Sequence, residues 1–305
     1  MLAGPGTSAT SPAALQALLR CPACGAEVSL EAGEALCAAG AHRYPVVEGI
    51  PILVDEETLQ ADPQYAGQRS YFDSEFSRYD RYLLEHWRVS YLNRLRAAGL
   101  LGDSGAPLVD VGVGGSGYTV IEAARAGQPA IGCDLSLEGL LAARRFAAEE
   151  GVSDRVLWVC CSAEKLPLAS ASFESALAIA VIEHVPNDLA ALRELARVLQ
   201  PRGRAWVTVP HALRNISPPF RPPNRRHDRR LGHLRRYEAD ALADAALRVG
   251  LEMEDVQFTG HAIKVLQIAA GRLDDRFWWW CERRDLERSH DRRGSMQLSM
   301  VFTRA

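Results

Sequence analysis

The chain has 305 residues, of which 48% are hydrophobic, and its formal net charge is −3 at pH 7. A chain of this length has room for one large globular domain and a small one. The slight negative charge gives no bulk attraction to nucleic acid or to an anionic membrane, so either contact would need a local basic patch. No apolar run reaches about 18 residues, and the first residues lack the pattern of a signal peptide. We therefore expect a disordered N-terminus over residues 1–20, no membrane insertion and a cytoplasmic location.

Four residues near the start have the spacing of a zinc site. Cys21 and Cys24 form a Cys-Pro-Ala-Cys pair, twelve residues separate Cys24 from Cys37, and four more separate Cys37 from His42. Three thiolates and an imidazole can complete a tetrahedron around zinc. Four protein ligands leave no open position for a substrate, so this zinc would be structural. The alternative is a set of reduced thiols or a redox pair.

The segment that follows these residues, RYPVVEGIPILV at 43–54, supports a small domain over residues 21–55. It resembles the zinc-ribbon domains that are fused to, or partnered with, some methyltransferases. Most of those domains use a fourth cysteine, and the variant with His42 is more similar to the zinc domain of a bacterial ribosomal RNA guanine methyltransferase. This resemblance keeps RNA open as a partner.

Residues 56–105 carry apolar side chains at helical spacing and are predicted to form a helical cap or linker. Phe76, Tyr79, Asp80 and the pair Trp87-Arg88 resemble the segment that precedes the nucleotide fold in quinone-type methyltransferases. In that family the segment packs over the cofactor, which implies that Tyr79 approaches it. The alternative is ordinary packing of an aromatic helix face.

A strand, a glycine-rich turn, a helix and a second strand are predicted within residues 107–134. The first strand ends in Asp110 and Val111, and the turn contains Gly112, Gly114, Gly115 and Gly117. Glycines allow a sharp turn and let a ligand approach the backbone amides. The second strand ends at Asp134, whose carboxylate can accept hydrogen bonds from the ribose hydroxyls of an adenosine. The unit therefore predicts a nucleoside cofactor.

The position of Asp110 indicates which cofactor this is. A carboxylate two residues before the first glycine would repel a pyrophosphate but suits a ligand with an ammonium and a sulfonium group. The loop resembles the acidic-x-Gly-x-Gly-x-Gly motif of class I S-adenosylmethionine-dependent methyltransferases, with its last glycine, Gly117, one position late. This resemblance implies S-adenosylmethionine as cofactor and a doubly wound α/β fold with a seven-stranded Rossmann-like sheet over residues 106–305.

The stretch 161–185 resembles the ends of the third and fourth strands of that family, which lie beside the adenine. Ser162 stands where the family commonly has Asp, and Ala163 would offer its backbone amide to the ring. The resemblance also places Leu135, Glu164 and Ala180 at the cofactor. Residues 252–258 and 297–303 are predicted to be the sixth and seventh strands, the last one antiparallel.

The candidate catalytic groups follow the fourth and fifth strands. His184 ends the fourth strand and has an ordinary pKa suited to accepting a proton. Residues 211–236 contain prolines and eight arginines and are predicted to be a loop across the mouth of the active site. The arginines either bind a phosphate or carboxylate of the acceptor or form a solvated basic loop. Within this stretch we expect His211 and His233 near the acceptor, together with Tyr237 just beyond it.

These patterns predict a methyltransferase that transfers a methyl group to O, N or C of a small-molecule acceptor, specifically a specialised or quinone-like metabolite. One alternative is an RNA base methyltransferase that uses the zinc ribbon and the arginine-rich stretch to bind RNA. Another is a non-enzymatic adaptor. Residues 277–280 are aromatic and either line the acceptor pocket, form a homodimer contact or pack against the sheet.

Overall fold

Two β-sheets organise the protein. The computed structural model describes residues 12–54, 63–102, 105–270 and 274–305. The smaller sheet is antiparallel, and its strands follow one another in chain order. They are β1 (Val28–Glu31), β2 (Glu34–Cys37), β3 (Arg43–Val47) and β4 (Ile50–Pro51).

The larger sheet has seven strands. They are β5 (Leu108–Val111), β6 (Ala130–Asp134), β7 (Val156–Cys160), β8 (Phe173–Ile179), β9 (Leu199–Pro210), β10 (Leu251–Thr259) and β11 (Gln297–Arg304). Their order is β10-β11-β9-β8-β5-β6-β7. Strands β5 to β9 pair in parallel, and β11 is antiparallel to both of its neighbours. This arrangement confirms the predicted Rossmann-like sheet, with an antiparallel seventh strand.

Ten α-helices lie in the described part of the chain. They are α1 (Pro12–Gln16), α2 (Pro63–Phe76), α3 (His86–Ala97), α4 (Tyr118–Arg125), α5 (Leu137–Glu149), α6 (Asp188–Val198), α7 (Arg221–Leu231), α8 (Ala239–Leu247), α9 (Ile263–Ala270) and α10 (Asp275–Leu286). None of these described helices has the length and apolar character needed to cross a lipid bilayer.

The larger sheet is covered on both faces, which explains why its central strands are almost continuously apolar. On one face Val109, Ala176 and Val207 belong to a core that also contains residues of the smaller sheet. On the other face Leu177 and Trp206 pack in a second core with the helices α3, α4 and α5. Because side chains alternate along a strand, neighbouring residues supply the two cores in turn.

Two stretches that were predicted to lack regular structure are ordered in part. The prediction that residues 1–20 are disordered was wrong for residues 12–20, because Leu15 and Leu19 are buried in the core; residues 1–11 lie outside the described residues. The prediction of a loop over 211–236 was wrong for the eleven residues of α7. Pro222 and Pro223 lie in its first turn, where backbone N–H groups lack partners inside the helix, and Gly232 ends it in a left-handed conformation.

Candidate active site

A cavity of about 360 Å³ opens at the carboxyl ends of the parallel strands, where the strand order reverses between β5 and β8. Ligands of open α/β sheets bind at this kind of reversal, and the volume is within the usual range of ligand sites. Its wall is formed by the ends of β5, β6 and β8, by residues that follow these strands and β7, and by α2 and α3. The predicted cofactor residues that line it are Gly112, Gly114, Asp134, Leu135, Ser162, Ala163 and Ala180.

The glycine turn is closely covered. Gly112 has a φ of 71°, and a Cβ at this residue would lie 2.4 Å from Cγ2 of Val181. A Cβ at Gly115 would lie 2.9 Å from the side chain of Phe76. Larger residues therefore cannot occupy these positions without a shift of the chain. Gly115 and Gly117 are outside the described wall of the cavity. A Cβ at Gly117 would lie 2.7 Å from the side chain of Trp158.

Asp134 holds the turn in place. Its Oδ2 accepts a hydrogen bond from the Gly114 amide at 2.8 Å, and its Oδ1 accepts one from the Ser136 amide at 2.9 Å. Burial nevertheless raises the pKa of this carboxyl above its usual value. Each oxygen keeps a second lone pair, so the carboxylate can still accept hydrogen bonds from ribose hydroxyls.

Asp110 supports the turn from below and is not part of the described cavity wall. Its Oδ2 accepts a hydrogen bond from the hydroxyl of Thr119, which joins β5 to α4. Its Oδ1 is buried and has no hydrogen-bond partner among the described residues, and burial raises the pKa of the carboxyl to about 7. A buried, incompletely paired carboxylate behind the glycine turn suits a positively charged ligand in the cavity.

The side of the cavity expected to hold the adenine contains Ser162. Its Oγ lies 3.1 Å from the hydroxyl of Tyr65 and accepts a hydrogen bond from the Glu164 amide at 3.2 Å. The carboxylate of Glu164, a predicted cofactor residue, accepts instead from the Asn187 amide at 2.6 Å. Glu164 is outside the described wall, so its side chain holds the next loop.

Helix α2 covers the cavity with side chains other than the predicted Tyr79. Phe72 and Phe76 line the cavity, whereas Tyr79 is outside its described wall. The ring of Tyr79 packs edge-on against Phe76, with ring centroids 5.5 Å apart. The physical reason is that α2 ends at Phe76, so Tyr79 no longer follows the helix face that covers the site. Gln68 fixes the helix by donating to the Gly232 carbonyl at 3.0 Å.

Three ionisable groups meet at the end of the cavity where His184 lies. Potential ligand atoms of Glu183, His184 and His233 lie within 4.8 Å of one another, and His184 lines the cavity. Neither carboxylate oxygen of Glu183, nor Nδ1 of His184, has a hydrogen-bond partner in the described parts of the chain. Burial raises the pKa of Glu183 to about 8. Burial, aided by the nearby His233, lowers the pKa of His184 to about 3.

His233 is held in place by α7. Its Nδ1 lies 2.9 Å from Oδ1 of Asp228, and the guanidinium of Arg236 donates to the same carboxylate. The rings of His184 and His233 meet edge to face with centroids 4.7 Å apart. His233 is outside the described cavity wall and reaches the site through its contact with His184.

Two residues predicted to lie near the acceptor, His211 and Tyr237, are outside the described cavity wall. His211 is fully buried, with Nδ1 2.6 Å from the Ser295 hydroxyl and with Nε2 accepting from Asn215 at 2.8 Å. The hydroxyl of Tyr237 lies 3.1 Å from the Ile182 carbonyl and 2.9 Å from Asp188 Oδ2. Both side chains form hydrogen bonds that join separate segments in the interior. The residues around them in the sequence do not reveal this role.

The four predicted metal ligands come together in the smaller sheet. Their ligand atoms all lie within 4.8 Å of one another, with Cys21 Sγ 3.5 Å from His42 Nδ1 and Cys24 Sγ 3.4 Å from Cys37 Sγ. A tetrahedral zinc with bonds of about 2.3 Å to sulfur requires sulfur atoms ~3.8 Å apart. The arrangement therefore fits a four-coordinate zinc ion.

Several residues of this site have only incomplete signals in the amino-acid sequence. Glu183 precedes His184 at a strand end, and its position beside a histidine was the available signal for an acid-base pair. Asp228 gave no local signal, because its contact with His233 depends on α7 and the turn after it. Phe72 is one of several aromatic residues in α2, and nothing in the sequence distinguishes it from the others.

Comparison with known proteins agrees with this geometry. Residues 109–207 match the model of a family described as "Methyltransferase domain". Over 104 residues the chain is 36% identical to Methyltransferase GfsG of Streptomyces halstedii, which covers 34% of this chain and 37% of that protein. Over 166 residues it is 31% identical to the ubiquinone biosynthesis O-methyltransferase of Haemophilus ducreyi, which covers 51% of this chain and 64% of that protein. These matches span less than two thirds of the length of either relative.

A solved structure shares the fold over a longer stretch. The geranyl diphosphate C-methyltransferase of Streptomyces coelicolor A3(2), in complex with Mg²⁺, geranyl diphosphate and S-adenosyl-L-homocysteine, superposes with a TM-score of 0.57 and 19% identity. The superposition covers 80% of this chain and 99% of that chain. The superposition shows that the larger sheet has the fold of that protein, and residues 109–207 match the methyltransferase-domain family.

We predict that Asp134→Ala weakens binding of S-adenosylhomocysteine by about 1.5 to 3 kcal/mol, because charge-assisted hydrogen bonds to the ribose are lost. Isothermal titration calorimetry measures this change. Asp154→Ala is the matched control, since Asp154 is exposed before β7 and its loss should leave the affinity unchanged. Equal affinity of Asp134→Ala and the unaltered protein would remove Asp134 from the cofactor site.

Proposed function

We propose that this protein transfers a methyl group from S-adenosylmethionine to a small-molecule acceptor, specifically a specialised or quinone-like metabolite. One observation carries the proposal: a single cavity connects the glycine turn and Asp134 with His184. A cofactor bound at the glycine turn and Asp134 would share this cavity with an acceptor placed against His184. A direct transfer requires the two molecules to lie this close together.

The residues present fit this cofactor. Asp134 would hold the ribose, Ser162 and Ala163 would contact the adenine, and the glycine turn admits the ligand to its backbone amides. When bound, S-adenosylmethionine supplies a methyl group that its positively charged sulfur has already activated. The task of the protein is then to align the acceptor and exclude water. Phe72 and Phe76 of α2 cover the cavity and would exclude water from it.

Glu183 and His184 provide an acid-base pair. Their surroundings move their pKa values in opposite directions, so that at neutral pH the carboxyl keeps its proton while the imidazole is uncharged. Because transfer of the methyl group makes the acceptor hydroxyl or carbon strongly acidic, the uncharged His184 accepts its proton during the transfer despite the low pKa of the imidazole. Asp228 orients His233, and His233 in turn packs against His184. Asp228 is a positioning residue, because it acts on His184 only through His233.

The wall of the cavity supports a small, largely apolar acceptor. Besides the two phenylalanines it contains Trp87, Val181 and Val185, and aromatic and aliphatic walls with a few polar groups are typical of small-molecule sites. Two of the three similar proteins described above are also named for small molecules, ubiquinone and geranyl diphosphate.

The proposal is tested with S-adenosylmethionine that carries a labelled methyl group. The purified protein is incubated with an extract that is then separated into total RNA and solvent-extractable metabolites. We expect protein-dependent label in the metabolite fraction, whose mass would identify the acceptor. Label in RNA alone would contradict the small-molecule acceptor, and no transfer to either fraction would contradict the proposed activity.

We predict that His184→Ala lowers the rate of this transfer by about 10²- to 10⁴-fold, the usual contribution of a general base. Binding of S-adenosylhomocysteine should change little, since the proposed role concerns the acceptor. His290→Ala, at an exposed position, is the control and should transfer at the normal rate. A His184→Ala protein with unaltered transfer would show that the acceptor needs no base at this position.

We also propose that the cluster of Cys21, Cys24, Cys37 and His42 holds a structural zinc ion. Its support is the convergence of four ligand atoms described above. With four protein ligands the ion would stabilise the smaller sheet and would not contact the acceptor.

Elemental analysis tests this zinc site. We expect about one equivalent of zinc in the purified protein and much less in Cys24→Ser, because the variant lacks one thiolate ligand. Cys281→Ser changes a cysteine of α10 and should retain the metal. A full equivalent of zinc in Cys24→Ser would refute this ligand set.

A further inference from the structure

The proposed zinc cluster and the adenine side of the cavity share a boundary. Residues 161–169 follow β7 and are called the adenine loop below; Cys161, Ser162 and Ala163 at its start line the cavity. The chain segments just before and just after the zinc cluster are both bonded to this loop or to the strand that leads into it. The inference drawn from this arrangement rests on the cofactor and the zinc ion proposed above.

The first contact lies directly before Cys21. The amide of Arg20 donates to the Pro167 carbonyl at 2.8 Å, and the amide of Ala169 donates to the Leu18 carbonyl at 2.8 Å. Between them Leu19 pairs with Leu168 as an antiparallel bridge, and both side chains are buried. Residues 18–20 therefore form a short extra strand against the end of the adenine loop.

The second contact lies after β4. The amide of Leu53 donates to the Cys160 carbonyl at 2.9 Å, and Ile52 pairs in parallel with Cys160. The next residue, Cys161, donates its amide to the Asp134 carbonyl at 2.9 Å. Two successive hydrogen bonds thus lead from the smaller sheet through the end of β7 to the residue expected to bind the ribose.

Val28, Ala35 and Leu53 pack in a core that is shared with the larger sheet, and the ligand cluster adds a second link between the two segments. Chain units of fewer than roughly 40 residues commonly draw part of their stability from a metal. The backbone bonds of residues 21–54 are mostly local: the Cys21 amide donates to Ala26, and the Cys37 amide donates to His42. A bound zinc ion would join Cys21, next to the first contact, to the hairpin that precedes the second.

We propose that the zinc ion supports cofactor binding, because it keeps residues 18–20 and 52–53 in the positions that hold the adenine loop. Its loss loosens the loop while the glycine turn and Asp134 remain. The loop is also held from α6, where the Leu166 amide donates to Glu194 and Arg197 donates to the Leu166 and Leu168 carbonyls. The effect is therefore a reduced affinity for the cofactor and not a loss of the fold.

Calorimetric titration with S-adenosylhomocysteine tests the coupling on zinc-loaded protein, on protein stripped by a chelator, and on stripped protein reloaded with zinc. We expect stripping to weaken binding by about 5- to 150-fold, the usual range for coupled sites, and reloading to restore it. Because coupling is reciprocal, saturating S-adenosylhomocysteine should strengthen zinc retention against the chelator by the same factor.

Hydrogen exchange locates the effect. The amides of Arg20, Leu53 and Ala169 each donate across the boundary and should exchange faster in stripped protein. The Ala180 amide, which donates to Thr208 in the larger sheet, should be unchanged. Leu19→Ala gives an independent perturbation, because it removes a buried contact to the adenine loop and no zinc ligand. It should keep its zinc and still bind S-adenosylhomocysteine more weakly.

The outcomes separate the two proposals. Zinc-loaded protein that does not bind S-adenosylhomocysteine at all would contradict the proposed function. Binding that is equal with and without zinc would overturn the coupling and leave the function standing. Faster exchange throughout the larger sheet after stripping would also overturn it, because the ion would then support the whole fold and not the adenine loop. Purified protein without zinc would refute the metal site on which the coupling depends.

Discussion

The hydrogen bonds accepted by Asp134 are the contacts on which the candidate site depends most. This carboxylate closes β6 and holds the amide of Gly114 on one side and the amide of Ser136, which begins α5, on the other. The backbone carbonyl of the same residue accepts from Cys161. The glycine turn, the start of α5 and the adenine loop are thus all fixed against one residue at the edge of the sheet.

The cover of the cavity depends on this frame as well. Phe76 can lie against the turn only because Gly115 has no side chain, and α2 is tied to the start of α5 by a hydrogen bond from Ser136 Oγ to Asp73 at 2.5 Å. Further along α2, Phe72 meets the ring of His184 at a centroid distance of 5.4 Å. One helix therefore touches both the region expected to hold the cofactor and the group expected to accept a proton.

The fold was predictable because its signals are local in the sequence. The run of glycines between two apolar strands, with carboxylates at Asp110 and Asp134, identifies the βαβ unit without knowledge of the rest of the chain. The four candidate zinc ligands were also identified from their spacing, and the structure brings all four together.

The sequence was less informative where a position depends on contacts far away in the chain. His211 and His233 both lie in the predicted loop over residues 211–236, yet His211 is enclosed by Ser295 and Asn215 while His233 meets His184. Tyr79 lies outside the described cavity wall because α2 ends three residues earlier. The prolines of α7 suggested a loop, although proline is favourable in a first helical turn.

A crystal structure of the protein grown with S-adenosylhomocysteine is the most direct test of the central claim that this cavity is the cofactor site. We expect one bound molecule, with its ribose hydroxyls at Asp134, its adenine beside Ser162 and Ala163, and its sulfur on the side of His184. A molecule bound elsewhere, or bound in the cavity without contact to Asp134, would show that this cavity is not the cofactor site proposed here.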